Sequence, residues 1–420
     1  MKMVLFLLVA ASAAAQENVV GARSPLNAGA DQKEALKITN AVYQGIGFGN
    51  TFMVVTPEGN VIIDTSSPQR APQHVKLLKQ VSDAPIRYII LTHSHADHTG
   101  GVKLWKQPGT QIIAQKEHVA FMNYQTRLQG FLAARNAAQF EFTPHAPAPW
   151  AGNYGAKIEA TILFDDKYEF KLGGITFRMF HTPGETPDHL TVWIPEYRAA
   201  FCGDNYYASF PNMYTLRGTE PRPALNYVES LNKVMALEPE LLLPSHGRVV
   251  RGRSEIAATL TKYRDAILYV HDETVKGMNA GKDVFTLMRE IRLPANLDVG
   301  ESYGRVSWSV RGIYEGYAGW FDLNPATMYD LPPAAADADL VRLAGGPEAV
   351  VRLASERVDE GREVEALRLL DAALAADPGN RPALEVRVKA LEGLIARARN
   401  SNERGWLESS LSETQRKLKN

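Results

Sequence analysis

The chain has 420 residues, 45% hydrophobic and 22% charged, a globular balance with length for two or three domains of roughly 100–200 residues each. Lys+Arg 46 against Asp+Glu 47 gives a net charge of -1, so no overall field draws nucleic acid or an anionic membrane, and anion recognition has to be local. The single cysteine, Cys202, excludes an intrachain disulfide; set in the apolar run from Ala199, it reads as a small buried hydrophobe.

Met1-Lys2-Met3, an apolar run from Val4 to Ala11 and the small residues Ala13-Ala14-Ala15 before Gln16 form the pattern of a secretory signal peptide over residues 1–15. That pattern predicts a periplasmic or secreted protein. No later apolar run is long enough to span a bilayer. Between residues 38 and 250 short apolar runs (Val61–Ile63, Tyr88–Leu91, Gln111–Ala114, Ile175–Phe180) alternate with turns and with helical spacing such as Gln69–Val81. Strands interleaved with helices in this way predict an α/β layered core.

Over residues 251–420 the pattern turns helical: Ser254–Met278, Val284–Ile291, Val306–Tyr317, then Pro347–Glu360, Glu363–Ala376 and Pro382–Ala398. The break at Pro332-Pro333-Ala334-Ala335-Ala336 reads as a linker or exposed loop. Ala366 to Leu394, turning at Asp377-Pro378-Gly379-Asn380, has the layout of one tetratricopeptide-like helix pair, too little for a solenoid. Apolar faces on Val350–Leu353 and Leu367–Leu374 are expected to bury against a partner chain or the first domain.

The segment Thr92-His93-Ser94-His95-Ala96-Asp97-His98-Thr99-Gly100-Gly101 follows directly on the strand Tyr88–Leu91. Three imidazoles and a carboxylate within six residues repel one another if charged and are costly to bury unpaired. A divalent cation such as Zn²⁺ resolves both problems. One loop cannot complete two sites, so further ligands must come from later strand ends. Asp204 follows Phe201-Cys202-Gly203 and His246 follows Leu241 to Ser245, both in strand-then-loop settings. Asp64, ending the run Val61–Ile63, suits a carboxylate that orients a ligand histidine. Between Glu185 and His189, chemistry alone favours the histidine for zinc. His74, His118, His145 and His271 lie outside these motifs and read as structural or surface residues.

The order HxHxDH, an acid after a glycine, then a late histidine, resembles the metallo-β-lactamase superfamily. The segments His181-Thr182-Pro183-Gly184-Glu185-Thr186-Pro187, Tyr214-Thr215-Leu216-Arg217-Gly218, Tyr303-Gly304 through Gly319 to Ala326, and Ala375 to Asn380 look like the secreted alkylsulfatases within it. The resemblance runs from about residue 40 to near the C-terminus. It implies an αββα sandwich followed by an all-helical dimerisation domain, and hence a homodimer. It also implies two Zn²⁺ ions per chain and a metal-activated hydroxide that cleaves a small-molecule anionic substrate, a sulfate ester. The ligand after the Thr-Pro-Gly turn is then Glu185, with His93 and His95, while Asp97, His98 and His246 hold the second ion. Asp204 bridges, and Asp97 and Asp204 carry catalytic roles. Arg217 and Asn212 are expected to hold the sulfate, with Arg217 offering a planar fork to a tetrahedral oxyanion and Tyr214 lining the pocket.

This chain departs from the alkylsulfatase pattern in three places. Asp204 stands where those enzymes usually bridge with glutamate, Trp308 stands where a sulfate-pocket histidine is usual, and none of the 420 residues is expected to form the family's lipid-carrier-like C-terminal domain. The superfold hosts many chemistries, so another ester, a lactone, a phosphodiester or a β-lactam is the alternative substrate class. A catalytically silent scaffold fits poorly with an intact ligand set.

Overall fold

The structure, a computed structural model, describes residues 25–140 and 158–420. The expected signal peptide and His145 lie outside the described residues. By internal contacts the chain forms two units. The first comprises the described residues of Met1–Phe121, Lys157–Ala208 and Ser230–Leu260, and the second those of Met122–Ala156, Ser209–Glu229 and Thr261–Asn420.

The first unit contains two sheets. In one, β1 (Leu36–Lys37), β2 (Val42–Gly45), β3 (Thr51–Thr56), β4 (Gly59–Ile63), β5 (Ile86–Ile90), β6 (Gln111–Gln115) and β7 (Ile162–Phe164) lie in chain order. Pairing is antiparallel up to β4 and parallel from β4 to β7. The other sheet holds β8 (Lys167–Leu172), β9 (Ile175–His181), β10 (Leu190–Ile194), β11 (Ala199–Gly203), β12 (Leu241–Pro244) and β13 (Val250–Arg251), of which only β11 and β12 pair in parallel.

Side-chain alternation along each strand decides which face meets which layer. Phe52 and Val54 of β3, Val61 and Ile63 of β4 and Ile90 of β5 share a core with Phe177, Met179, Val192, Phe201 and Leu243 of the second sheet. Phe52 meets Phe201 edge-on at 5.1 Å between ring centroids. The alternate residues Met53, Ile62 and Ile89 turn the other way and pack with Leu78, Val102 and Trp105. Those three come from the crossover helices Ala71–Lys79 and Val102–Trp105. A parallel step needs such a crossover, and Pro72 is tolerated because it falls in the first helical turn. The architecture is the expected metallo-β-lactamase sandwich followed by helices.

The second unit is helical. Asp337–Leu343, Pro347–Asp359, Glu363–Ala376 and Arg381–Arg397 share a core of Val341, Val350, Val351, Ala354, Leu370 and Ala383. The apolar faces on Val350–Leu353 and Leu367–Leu374 thus bury largely within the unit, which corrects their expected use against a partner or the first domain. The break at Pro332–Ala336 is a 3₁₀ turn leading into Asp337–Leu343. A last helix, Ser401–Lys419, is capped by Asn400, whose side chain accepts from Asn402 N and Glu403 N.

Candidate metal centre

The candidate site gathers where parallel strands of the first unit end at their carboxyl termini. Asp64 follows β4, the loop 92–98 follows β5, Asp204 follows β11, and Ser245 and His246 follow β12. Backbone and side chains seat each segment. Asn50, at the start of β3, donates from Nδ2 to the carbonyls of Pro244 and Gly247, each at 3.1 Å, and its N–H donates to the Ser245 carbonyl at 2.8 Å. Gly203 has φ +53, and a Cβ there would lie 2.3 Å from His189 Nε2, so only glycine lets β11 close on this histidine.

Two groups of donors result. Asp97, His98, Asp204 and His246 bring their ligand atoms within 4.8 Å of one another, and so do His93, His95 and Asp204. Asp204 Oδ2 lies 3.0 Å from His246 Nε2, 3.4 Å from His98 Nε2 and 3.7 Å from His93 Nε2. It therefore belongs to both groups. Asp97 Oδ2 is 3.4 Å from His98 Nε2 and from His246 Nε2. Glu185 Oε1 is 3.9 Å from His95 Nδ1. The backbone of Glu185 is held by Asn205, whose Oδ1 accepts its N–H at 3.0 Å while Nδ2 donates to Thr182 O at 2.7 Å.

Asp64 is fully buried and accepts four hydrogen bonds. Thr92 N–H reaches Oδ1 at 2.8 Å; Thr92 Oγ1, His98 Nδ1 and Ser245 Oγ reach Oδ2 at 2.7, 2.9 and 2.8 Å. Since a carboxylate oxygen only accepts, His98 carries a proton on Nδ1 and turns Nε2 toward Asp97 and Asp204. The orienting role expected of Asp64 is what the structure shows. His189 is different: its Nε2 accepts Asp204 N–H at 3.1 Å, and Nδ1 lies 3.2 Å from Thr182 Oγ1. Burial lowers His189 to about 4. A neutral ring with its Nε2 lone pair committed to a backbone N–H has nothing left there for a cation.

Electrostatics favour a cation in this pocket. Burial alone would raise Asp97, but His98 and His246 bring it down to about 2. Burial works the same way on Asp204, which His246, His98 and His93 hold well below the usual carboxylate range. Burial would lower His98 and His246, and the carboxylates of Asp204 and Asp97 hold both above their ordinary value. Two ionised carboxylates in a dry pocket thus make neighbouring imidazoles take up protons, a role a divalent cation fills better. Two buried atoms, His98 Nε2 and Asp204 Oδ1, have no hydrogen-bond partner. Oxygen and imidazole donors with such orphaned atoms fit a bound divalent metal.

The residues expected to hold substrate fall in the second unit. Arg135 Nε donates to the Arg217 carbonyl at 2.7 Å, and Arg217 Nη1 donates to Gly218 O at 3.3 Å. Asn212 is buried, and its carbonyl accepts from Arg222 Nη1 at 2.7 Å. Tyr214 is 38% exposed and its hydroxyl donates to Glu315 Oε2 at 2.6 Å. Trp308 lies in the helix Val306–Ala318 with the Arg305 guanidinium 5.6 Å from its ring centroid.

Asn50, Asn205, Ser245 and Asp188 carry no motif signal of their own, and His118, which the sequence reads as structural or surface, is buried beside the HxH loop. Asn205, next to Asp204, and Ser245, next to His246, were within reach of motif reading.

Comparison with known proteins agrees with this architecture. Residues 45–246 match the Metallo-beta-lactamase superfamily, and residues 286–417 match the alkyl sulfatase dimerisation family. A linear primary-alkylsulfatase from a Pseudomonas species is 31% identical over 390 residues, which cover 87% of this chain and 74% of that protein. An alkyl/aryl-sulfatase of Saccharomyces cerevisiae is 29% identical over 85% of this chain and 60% of its own length. The solved structure of the stereoselective inverting sec-alkylsulfatase Pisa1 from Pseudomonas sp. superposes with a TM-score of 0.83 at 22% identity, covering 91% of this chain and 65% of that one. The chain thus spans less than two thirds of the yeast relative and of Pisa1. Fold, donor set and relatives agree: the chain belongs to the metallo-beta-lactamase superfamily, as an alkylsulfatase-like member with a dimerisation domain.

Proposed function

We propose that the protein hydrolyses sulfate esters with two bound zinc ions. His93, His95 and Glu185 would hold one ion and Asp97, His98 and His246 the other, with Asp204 between them. The observation that carries the reading is a buried donor set with orphaned His98 Nε2 and Asp204 Oδ1 in a chain 31% identical to a linear primary-alkylsulfatase. His189, with Nε2 engaged by Asp204 N–H, supports Glu185 as the ligand after the Thr-Pro-Gly turn. When bound, such ions supply Lewis acidity and lower the pKa of water.

The chain's own residues do the rest. Asp64 fixes the His98 ring, and Asp204 reaches both donor groups, so its carboxylate sets their separation. Asp97 and Asp204 keep the pocket anionic and the cations in place. Arg217 and Asn212 are assigned to the sulfate oxygens, and Tyr214 to the pocket wall. Arg217 suits this because its planar fork pairs with two oxygens of a tetrahedral oxyanion.

A homodimer belongs to the same reading. Tyr317, Trp320, Leu323, Tyr329 and Leu331 are 60–82% exposed, lie within the region matched to the dimerisation family, and offer apolar surface to a second copy. Sedimentation at micromolar concentration should give the dimer mass, and a monomer would refute it.

The function is tested with zinc-loaded protein on a primary and a secondary alkyl sulfate, an aryl sulfate, a phosphodiester, a lactone and nitrocefin. We expect sulfate ester turnover, lost in His95→Ala, and a rate about 10²-fold lower in Arg217→Ala at normal metal content. Cleavage of another substrate alone, with Arg217→Ala silent, would leave the metal centre standing and overturn the sulfate assignment.

A further inference from the structure

A second network of buried polar side chains, separate from that of Asp64, holds the HxH loop at Ser94. Ser94, between His93 and His95, donates from Oγ to Asp188 Oδ2, and the same oxygen lies 2.6 Å from His118 Nδ1. His118 Nε2–H donates to the Ile158 carbonyl at 3.1 Å, and Asp188 Oδ1 accepts Thr186 Oγ1 at 2.6 Å. Ser94, His118 and Asp188 are each 1% exposed. None of the three belongs to either donor group.

Burying a carboxylate and an imidazole together costs several kcal/mol unless each is well bonded, on the order of the penalties for isolated polar groups. Here each has partners on both sides, and all of them but Ile158 lie next to proposed ligands or bond a residue that does. Ser94 is flanked by two proposed ligands and Thr186 follows the third, Glu185. Asp188 therefore ties the loop carrying His93 and His95 to the turn carrying Glu185, and His118 anchors that tie to Ile158. Asp64 holds His98 and, through Ser245, the segment leading to His246; toward the other group it reaches only through Thr92, whose Oγ1 lies 3.1 Å from His93 Nδ1.

We propose that Ser94, His118 and Asp188 are positioning residues for one metal only, the ion assigned to His93, His95 and Glu185. The inference rests on that ligand assignment. Asp188 then supports this donor group alone, whereas Asp64 supports the other and touches this one only through Thr92 beside His93. Outer partners of this kind are worth about 10- to 100-fold in metal affinity.

The test is zinc binding by chelator competition on the full chain, with circular dichroism as a check on folding. Ser94→Ala, which removes only a hydroxyl, His118→Phe and Asp188→Asn should each weaken one of the two zinc ions by about 10- to 100-fold and leave the other unchanged. Ser94→Thr, which keeps the hydroxyl, should restore part of the loss. In a His95→Ala background the ion in question is already lost, so adding Ser94→Ala should change nothing further. Equal weakening of both ions, or wild-type binding of both in Ser94→Ala, would overturn the inference. If His95→Ala itself keeps both ions, the ligand assignment has failed instead.

Discussion

Asp64→Asn isolates what one buried carboxylate does for the metal centre. Asparagine keeps the volume of aspartate and tolerates the left-handed backbone at φ +54, so the change is confined to charge and hydrogen-bond polarity. Oδ2 accepts three bonds and Oδ1 one. An amide that keeps its oxygen at the Oδ2 position turns its NH₂ toward Thr92 N–H, so one bond becomes a donor–donor contact. An unsatisfied buried donor costs about 1–3 kcal/mol, and the three remaining bonds lose charge assistance, which roughly halves each. On those terms we expect about 3–7 kcal/mol of lost stability. Zinc affinity should fall about 10- to 100-fold at the ion assigned to Asp97, His98 and His246, because His98 loses its orienting partner. Urea unfolding of the metal-free protein reads the first number and chelator competition the second. Wild-type values in both assays would refute the argument that Asp64 orients His98.

Two further outcomes follow from buried groups nearby. His74 is fully enclosed, with Nδ1 2.9 Å from Thr51 Oγ1 and Nε2 2.9 Å from the Ile46 carbonyl, and burial brings it from the ordinary 6.5 to about 4. Between those pH values the unfolded chain binds a proton that the native chain refuses, so stability is lost as pH falls through the window. At about 1.4 kcal/mol per pH unit the loss approaches about 3 kcal/mol by pH 4. Urea midpoints at pH 7 and 4.5 should show the drop, reduced in His74→Gln; the same slope in both proteins would contradict it. Gly203→Ala places a methyl 2.3 Å from His189 Nε2 at a φ of +53. It should break the Asp204 N–H bond and lower zinc content measurably by atomic absorption, whereas an unchanged content would show that the backbone gives way.

Contiguity decided what could be read from the sequence. The loop His93–His98 is legible because its chemistry is packed into six residues after an apolar run that became β5. Val61–Ile63 is legible because a strand buried on both faces is apolar throughout, and Ile175–Phe180 because its apolar residues Ile175, Phe177 and Met179 alternate with Thr176 and Arg178. Edge strand β8, Lys167–Leu172, alternates apolar with charged residues instead of forming an apolar run, and the polar helix Ser401–Lys419 carries only a thin stripe of Leu407, Leu411 and Leu418. His118 could not be placed because its partners Ser94 and Ile158 lie 24 and 40 residues away, and Asn50 reaches 194 residues to Pro244. From the sequence, Glu185 is preferred to His189 only through the family resemblance; the hydrogen bond from Asp204 N–H to His189 Nε2 is a separate reason that no spacing rule contains.

The donors of the candidate centre come from segments as far apart as His93 and His246, and the chain has one cysteine, Cys202, buried in β11. Cations bound there would be cross-links in a protein without covalent ones. They would close a loop of more than a hundred residues that the unfolded chain leaves open, and their affinity would add to folding by mass action. Resistance to heat and to proteases would then track the free zinc concentration around the molecule. A chelator would strip away a structural tie together with a reactive centre.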